Sequence, residues 1–364
     1  MARGDVKILV AGEWRFEIYE QAAFQAFKTL CHEAYRFSWH EYFKSSSDSS
    51  LSFFVETFYK KFQNKFMIGP IIRAINSDFI KAVNEYQPNL VYLYRGTHIK
   101  RNTLRAIKRN FPRTILLGYN NDDPFAEGYP HWLWRHFLAS IPEYDIVLAY
   151  RHRNITDFMC AGAKQVHLLR SWFIKELHHP VTLTLEEQKI FGCDVVFVGH
   201  YEPDGRLELL EEIVKNGFRL RLFGTGWDTV VRKSRILSNF YPVEAVRGND
   251  YNKALSGAKV ALCFLSKLNR DTYTRRCFEI PATKTVLLSE YSDDLATLYQ
   301  EGIEADFFRT KEELIQKVKR YVEDDRFRQS VAEGGYCRLM RDGHDVVSRM
   351  KQVLEWVYQF KSDN

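Results

Sequence analysis

Seven residues separate Asp271, on a loop after the apolar run Lys259–Phe264, from Glu279 in the predicted helix that follows. Backbone N–H groups near Thr272–Thr274 stand where that helix begins, and helix N-termini favour phosphate. A carboxylate on either side could hold the hydroxyls of a ribose and of a second sugar. Arg276 adds a guanidinium that can grip a diphosphate bidentately. The same spacing is also typical of a loop carboxylate followed by a helix-capping glutamate.

Other candidate nucleotide contacts in the second half follow predicted strands. Gly199 ends the strand Asp194–Val198, and Gly224 ends the strand Phe218–Phe223. Glycine at such a position permits close approach of a ligand, although a plain turn explains it equally well. Four larger side chains are further candidates, with a core or solvent-exposed role as the alternative for each: Arg206, Trp227, Arg247 and Lys267.

Polar residues also follow the predicted strands of the first half. Gly12 ends the first strand, and Arg95 and His98 follow the strand Asn89–Tyr94. Asp122 and Asp123 come shortly after the strand Thr114–Gly118. We expect them at the ligand-facing edge of a parallel sheet, where a carboxylate or imidazole can orient a hydroxyl or move a proton. Asp-Asp-Pro is also common in turns.

The elements that position these residues alternate between strand-like and helix-like patterns throughout the chain. This βαβ rhythm predicts an α/β fold with two Rossmann-like, doubly wound domains facing a cleft. Because the rhythm restarts after Lys175–Gly192, we place the domains at residues 1–180 and 181–364, with helices dominating the C-terminal part. We expect His178 and His179 to be solvent-exposed linker residues.

Composition excludes several classes of protein. No run approaches the roughly 18 apolar residues of a membrane helix, and the N-terminal apolar run Ile8–Ala11 is too short for a signal peptide. The six cysteines are scattered without a Cys-x-x-Cys pair, so we expect neither a zinc site nor a disulfide framework, and a cytoplasmic location. No recognition-helix, RNP or zinc-finger pattern points to nucleic acid.

Positive charge is concentrated in residues 51–110, which hold 11 basic and 3 acidic residues. Within them, Leu51–Phe66 predicts an amphipathic helix with lysines between its apolar positions. One interpretation is peripheral contact with an anionic membrane, or a phosphate-bearing acceptor. The alternative is a helix packed on the sheet with solvated lysines.

An ordered set of motifs resembles the GT-B glycosyltransferases, and more narrowly the CgeB-like (spore maturation protein) branch of the retaining family with an E-x7-E motif. The motifs that carry the resemblance are Val198-Gly199-His200-Tyr201, Asp204, Arg206, Leu222-Phe223-Gly224-Thr225-Gly226-Trp227, Arg276-Cys277-Phe278-Glu279-Ile280-Pro281-Ala282, Leu287-Leu288-Ser289-Glu290, Glu312-Glu313-Leu314, Gly343-His344, Arg349 and Asn121-Asp122-Asp123-Pro124.

The resemblance implies a transferase that moves a sugar from a nucleotide-diphosphate donor, held by the second domain, to an acceptor hydroxyl held by the first. Glu279 matches the glutamate that holds the ribose, and Asp271 stands in place of the glutamate that addresses the donor sugar. Thr272, Tyr273 and Thr274 occupy the place of the family's glycine-rich phosphate loop, and Arg206 that of its basic residue. The acceptor would be a glycan, a lipid-linked molecule or a protein.

The chain contains no Asp-x-Asp, so we expect no metal and no other cofactor, with arginines neutralising the leaving diphosphate. A retaining front-face displacement is the preferred mechanism. Two alternatives stay open. One is a nucleotide-sugar epimerase of the same architecture, and the other is a catalytically inactive scaffold or surface-layer protein.

Overall fold

The computed structural model describes residues 6–44 and 51–363, which form two compact units. The first unit comprises Met1–Arg170 together with Val346–Asn364, and the second comprises Ser171–Asp345. Each contains one parallel sheet whose strands alternate with helices along the chain. The predicted α/β class with two doubly wound sheets is therefore confirmed.

The first unit begins with a strand that leads through a π-helical turn, Glu17–Gln21, into the first α-helix. Its strands are β1 (Lys7–Gly12), β2 (Glu33–Ser38), β3 (Leu90–Tyr94), β4 (Ile115–Asn120), β5 (Ile146–Ala149) and β6 (Val166–Leu168). Its helices up to that point are α1 (Ala22–Thr29), α2 (Leu51–Phe66), α3 (Pro70–Tyr86), α4 (Arg101–Asn110), α5 (Arg135–Ser140) and α6 (His152–Cys160).

All strand pairs of the first sheet are parallel, in the order β2-β1-β3-β4-β5-β6. The central strands are continuous apolar runs because helices cover a parallel sheet on both faces, and every residue of β3 is buried. The order reverses direction between β1 and β3, where Ile8 pairs with Leu90. Such a reversal is the usual ligand position in a doubly wound sheet.

The second unit repeats this plan with five parallel strands in the order β11-β10-β9-β7-β8. Its strands are β7 (Cys193–Val198), β8 (Leu220–Phe223), β9 (Ala258–Cys263), β10 (Val286–Glu290) and β11 (Asp306–Phe308). Its helices are α7 (Leu185–Phe191), α8 (Arg206–Lys215), α9 (Asp228–Val231), α10 (Asn249–Ser256), α11 (Arg276–Ala282), α12 (Asp293–Leu298), α13 (Lys311–Glu323) and α14 (Asp325–Arg341). Here the order reverses between β7 and β9.

The last helix, α15 (Val346–Asp363), corrects the predicted domain boundary. We assigned it to a second domain of residues 181–364, but it packs against α1 and belongs to the first unit. Its apolar face, which includes Met350, Val353 and Val357, is buried. Within the described ranges, no helix combines the length and the apolar character needed to cross a bilayer.

Candidate functional site

Two predicted glycines meet at the carboxyl ends of the neighbouring strands β7 and β8. The amide of Gly199 donates to the carbonyl of Phe223 at 2.9 Å. A Cβ on Gly224, whose φ is +142°, would lie 1.9 Å from the carbonyl oxygen of Gly199. Only glycine allows two loop backbones to approach so closely, so these residues shape the strand ends.

Arg276 is the candidate anion-binding group at the point where the strand order reverses between β7 and β9. It opens helix α11, and its Nε donates to the carbonyl of Val198 at the end of β7. A Cβ on Gly199 would lie 2.9 Å from Nη2 of Arg276, so the glycine makes room for the guanidinium. Neither Nη atom has a hydrogen-bond or ion-pair partner among the residues that the structure describes. The two Nη groups of this guanidinium are suited to bind two oxygens of a diphosphate.

Glu279 lies three residues further along α11 inside a buried polar cluster. Its carboxylate accepts hydrogen bonds from Tyr251 Oη at 2.7 Å and from Arg275 Nε, and His178 Nε2 lies 3.4 Å from Oε1. Burial raises the pKa of the carboxyl, but the Arg275 guanidinium, the His178 imidazole and the Tyr251 hydroxyl outweigh it and lower the pKa to about 2. Glu279 is therefore ionised at neutral pH.

His178 is a residue whose role the sequence did not show. We predicted a solvent-exposed linker histidine, but its side chain is buried beside Glu279. Its Nδ1 accepts the backbone N–H of Ile174 at 3.0 Å, so the ring proton resides on Nε2, which faces the carboxylate. No local motif marks this contact, because the two residues belong to distant segments of the chain.

The loop before α11 faces the protein interior more than we predicted. Tyr273 is fully buried, and its hydroxyl accepts the backbone N–H of Ser171 at 3.2 Å. Thr274 is also buried, with its hydroxyl 3.2 Å from Cys263 Sγ, while the hydroxyl of Thr272 donates to Asp294 at 2.6 Å. These side chains are therefore unavailable to a phosphate. The backbone N–H of Thr274 is engaged as well, since it donates to Cys277 Sγ at 3.5 Å.

Asp271 is half-buried on the same loop. Its backbone N–H donates to the carbonyl of Ser266 at 2.9 Å, which closes the turn after β9. The turn therefore holds Asp271 beyond the carboxyl end of β9, where we predicted a sugar-binding carboxylate. That role stays a prediction.

Two predicted nucleotide contacts are instead structural, and both predictions are corrected. Trp227 is fully buried, and its indole N–H donates to the carbonyl of Gly199 at 2.7 Å. It therefore stabilises the loop that follows β7. Arg206 is buried, with its guanidinium bonded to both carboxylate oxygens of Asp204 and to the carbonyl of His200. Its charge is already neutralised inside the loop it closes.

Two further predicted contacts lie at the surface. Lys267 extends into solvent with its Nζ 3.4 Å from a carboxylate oxygen of Glu290. Arg247 is exposed just before helix α10. Both positions are accessible to a ligand, and their roles stay predictions.

A second candidate site is a pocket of about 290 Å³ that lies wholly within the first unit. It is located where the strand order reverses between β1 and β3, which is where a doubly wound sheet binds ligands. Arg95 and His98, two predicted residues, line it. Its other lining residues are Glu13, Glu20, Trp39, Lys61, Asn64, Lys65, Met67, Tyr94, Thr97, Trp132 and Leu133.

Glu20 in this pocket is the second functional candidate that the sequence did not show. Its side chain is 2% exposed, and Oε1 accepts the backbone N–H groups of Glu13 at 2.8 Å and Trp14 at 3.2 Å. No other residue in the described part of the chain donates to Oε2. Burial raises the pKa of this carboxyl despite the backbone hydrogen bonds. Position 12 requires glycine, because a Cβ on Gly12 would lie 2.2 Å from Oε1 of Glu20.

His98 is held as a neutral positioning residue, which corrects its predicted part in proton transfer. Its Nε2 lies 2.8 Å from Asn64 Oδ1 and its Nδ1 2.9 Å from Thr97 Oγ1. The ring stacks on Trp39 at 5.5 Å between centroids. Burial lowers the pKa of His98 to about 3, so the ring carries no charge at neutral pH.

The two predicted aspartates differ in environment. Asp123 is fully buried, and its Oδ1 accepts from the backbone N–H of Phe125 and from Asn154 Nδ2, so its predicted role in proton transfer is corrected to a turn-closing one. Asp122 is partly exposed and pairs with Arg95. The Arg95 guanidinium also lies 5.0 Å from the ring centroid of Trp134. Asp122 therefore fixes an arginine that lines the pocket.

Comparison with known proteins supports a glycosyltransferase relationship for part of the chain. A family model described as glycosyl transferase-like matches residues 206–355, which include Arg276 and Glu279. We find no significant match among curated proteins.

Solved structures resemble the chain over nearly its whole length. HepE of Anabaena in complex with UDP-glucose is 14% identical with a TM-score of 0.67, covering 97% of this chain and 100% of HepE. The sucrose-phosphate synthase of Thermosynechococcus elongatus is 11% identical with a TM-score of 0.69, over 99% and 100%. A candidate UDP-N-acetylglucosamine 2-epimerase of Listeria monocytogenes is 10% identical with a TM-score of 0.60, over 99% and 98%. At such identities these similarities establish the GT-B type of fold.

Proposed function

We propose that the protein is a glycosyltransferase that binds a nucleotide-diphosphate sugar in its second unit and transfers the sugar to an acceptor hydroxyl. The main support is Arg276, whose terminal nitrogens have no partner within the described ranges. It stands at the reversal point of the second sheet, in the segment that matches the glycosyl transferase-like model. A guanidinium there offers two parallel donors to a diphosphate.

On the donor side, Arg276 and backbone N–H groups near residues 272–274 stabilise the charge that develops on the leaving diphosphate. Glu279, ionised and rigidly held, accepts a ribose hydroxyl through a remaining lone pair. Asp271 orients the donor sugar. In this proposal the cation is supplied by arginine rather than by a metal, and the displacement is retaining.

On the acceptor side, the first unit's pocket receives the molecule that carries the hydroxyl. Glu20 binds this hydroxyl through Oε2, and its raised pKa brings the carboxyl closer to the range useful for proton exchange. Arg95, fixed by Asp122, supplies positive charge to the same pocket. A glycan, a lipid-linked molecule or a protein fits this description, and we place the reaction in the cytoplasm.

Calorimetry with UDP, GDP and their hexose conjugates tests the donor assignment. We expect one nucleotide to bind, and Arg276→Ala to weaken its binding by roughly ten- to a hundredfold because a charge-assisted pair of hydrogen bonds is lost. Arg232→Ala, which removes an exposed arginine of the same unit, is the matched control. Equal affinity in wild type and Arg276→Ala, or no binding of any nucleotide, would contradict the proposal. The second result would favour the inactive scaffold.

A nucleotide-sugar epimerase is the second candidate, because the Listeria protein named above shares the fold. An epimerase needs no acceptor. Incubation with the nucleotide-sugar donor alone, followed by separation of the sugars, distinguishes the two: conversion to an epimer supports the epimerase, and an unchanged or only hydrolysed donor counts against it.

A further inference from the structure

Helix α2 and the residues just after it expose several large apolar side chains among those that the structure describes. Phe58 is 73% exposed, Tyr59 50% and Phe62 42%, and Ile68 just after the helix is 43% exposed. Phe58 and Phe62 are four residues apart and therefore share one face of the helix. The rings of Phe58, Tyr59 and Phe62 are therefore not buried in the core of the first unit.

An aromatic row leads from this face toward the pocket of the first unit. The ring centroids of Phe62 and Phe66 lie 4.8 Å apart, and those of Phe66 and Trp132 lie 5.2 Å apart. Trp132 also lines the pocket. Aromatic side chains are enriched at the boundary between water and lipid, where an apolar ring and a polar environment meet.

Unpaired positive charge accompanies the aromatic residues. Lys61 and Lys65 are exposed and line the mouth of the pocket, and neither meets a carboxylate among the described side chains. Lys60, in contrast, pairs with Glu56. Lys61 and Lys65 lie on the same side of α2 as Phe58 and Phe62, because their spacings of three and four residues match the helical turn.

We propose that the face formed by Phe58, Tyr59, Lys61, Phe62, Lys65 and Ile68, here called the α2 face, docks on an anionic lipid bilayer. Exposed aromatic residues insert at the headgroup level, and Lys61 and Lys65 approach anionic lipid. A second copy of the chain complements this surface less well, because a two-fold pairing would bring the four lysines together. The net positive charge of residues 51–110 favours the same partner.

Docking in this way brings the pocket to the membrane surface, because Lys61 and Lys65 belong both to the pocket lining and to the α2 face. The acceptor would then be a membrane-borne molecule whose hydroxyl enters from the headgroup region. This consequence rests on the proposed function, whereas the docking itself does not.

Sedimentation with lipid vesicles tests the docking. We expect the wild-type protein to bind phosphatidylcholine vesicles containing phosphatidylglycerol, and to bind pure phosphatidylcholine vesicles at least tenfold more weakly. Lys61→Glu with Lys65→Glu should weaken binding by about 25-fold or more, since each basic residue near an anionic surface contributes about fivefold. Phe58→Ser with Phe62→Ser should weaken binding to a similar extent.

Matched double variants in the second unit serve as controls. Lys311→Glu with Lys319→Glu makes the same change of charge at two exposed lysines. Leu185→Ser with Ile190→Ser removes two exposed apolar side chains from α7. Both should bind vesicles like the wild type. If they lose as much binding as the α2-face variants, the attraction is not specific to this face and the proposal is wrong.

Two further outcomes would overturn the docking. One is equal binding to neutral and anionic vesicles. The other is a concentration-dependent dimer in light scattering that Phe58→Ser with Phe62→Ser abolishes, which would assign the α2 face to a second copy. Nucleotide binding by the wild-type protein, measured on the same samples, keeps the two proposals apart. A wild type that binds nucleotide but not anionic vesicles refutes only the docking, and one that binds anionic vesicles but no nucleotide refutes only the transferase.

Discussion

Replacing Glu279 with glutamine tests whether the buried charge cluster stabilises the second unit. The variant keeps the side-chain volume but leaves Arg275 without its anion. The carboxyl has a pKa of about 2 in the folded protein against an ordinary value of 4.5. A pKa difference of one between the folded and unfolded protein corresponds to about 1.4 kcal/mol. The charged form of Glu279 therefore contributes about 3 kcal/mol to folding at neutral pH. We therefore expect Glu279→Gln to lower the free energy of unfolding by about that amount.

The pH dependence of this difference gives the sharper test. A carboxyl whose pKa is lowered by folding stabilises the protein fully above its unfolded pKa, and the stabilisation is lost as the pH falls toward the folded pKa. The difference in the free energy of unfolding between wild type and Glu279→Gln, here called the gap, should thus be constant above about pH 5.5. It should shrink to about 2 kcal/mol at pH 3.5. Urea denaturation at both pH values measures this difference, and Glu312→Gln, which changes an exposed glutamate of α13, is the control.

A gap that does not change with pH would show that the substitution acts through packing and not through charge. A gap under about 1 kcal/mol at pH 7 would refute the cluster's contribution altogether. The folded variant also addresses the ribose: we expect weaker nucleotide binding at a temperature well below its unfolding transition. Unchanged affinity there would remove Glu279 from the donor site.

Three other substitutions examine separate parts of the molecule. Asp271→Ala should lower sugar transfer more than nucleotide affinity, and the reverse order in kinetics and calorimetry would mean that its role and that of Glu279 are exchanged. Gly224→Ala should destabilise the fold by about 3 kcal/mol or more in urea denaturation, because its Cβ would meet the backbone of Gly199. Glu20→Gln should reduce transfer while leaving donor binding intact; weaker nucleotide binding would contradict the assignment of this pocket to the acceptor.

The central strands were predictable because they are buried on both faces. Continuous apolar runs located β3 and β4 within one or two residues of their observed ends. The sequence did not reveal β2, β6 and β11, which lie at or next to sheet edges. Burial along β2 is mixed, and β6 and β11 have only three residues each. Such segments carry too little hydrophobic signal to be distinguished from loops.

The candidate site was predictable in position but not in chemistry. The positions of the strand ends and the order of the elements predicted Gly199, Gly224 and Arg276 as nucleotide contacts, because ligands bind at the carboxyl edge of parallel sheets. Whether a polar side chain there faces solvent is decided by its three-dimensional neighbours. Asp204 neutralises Arg206, and Asn154 holds Asp123, and neither pairing has a signature in the sequence.

Strand-end glycines proved informative for a reason other than the one that drew attention to them. We predicted that Gly12 lies at the ligand-facing edge of the first sheet and that Gly199 permits close approach of a ligand. In the structure, each makes room for an ionisable side chain of the protein: Glu20 Oε1 lies 2.2 Å from where a Cβ on Gly12 would be, and Arg276 Nη2 lies 2.9 Å from that of Gly199. A side chain that occupies the space of a missing Cβ is held at the sheet edge, where ligands bind. The glycine therefore identifies the position of a neighbouring ionisable group, and that group, more than the glycine, is the residue to mutate.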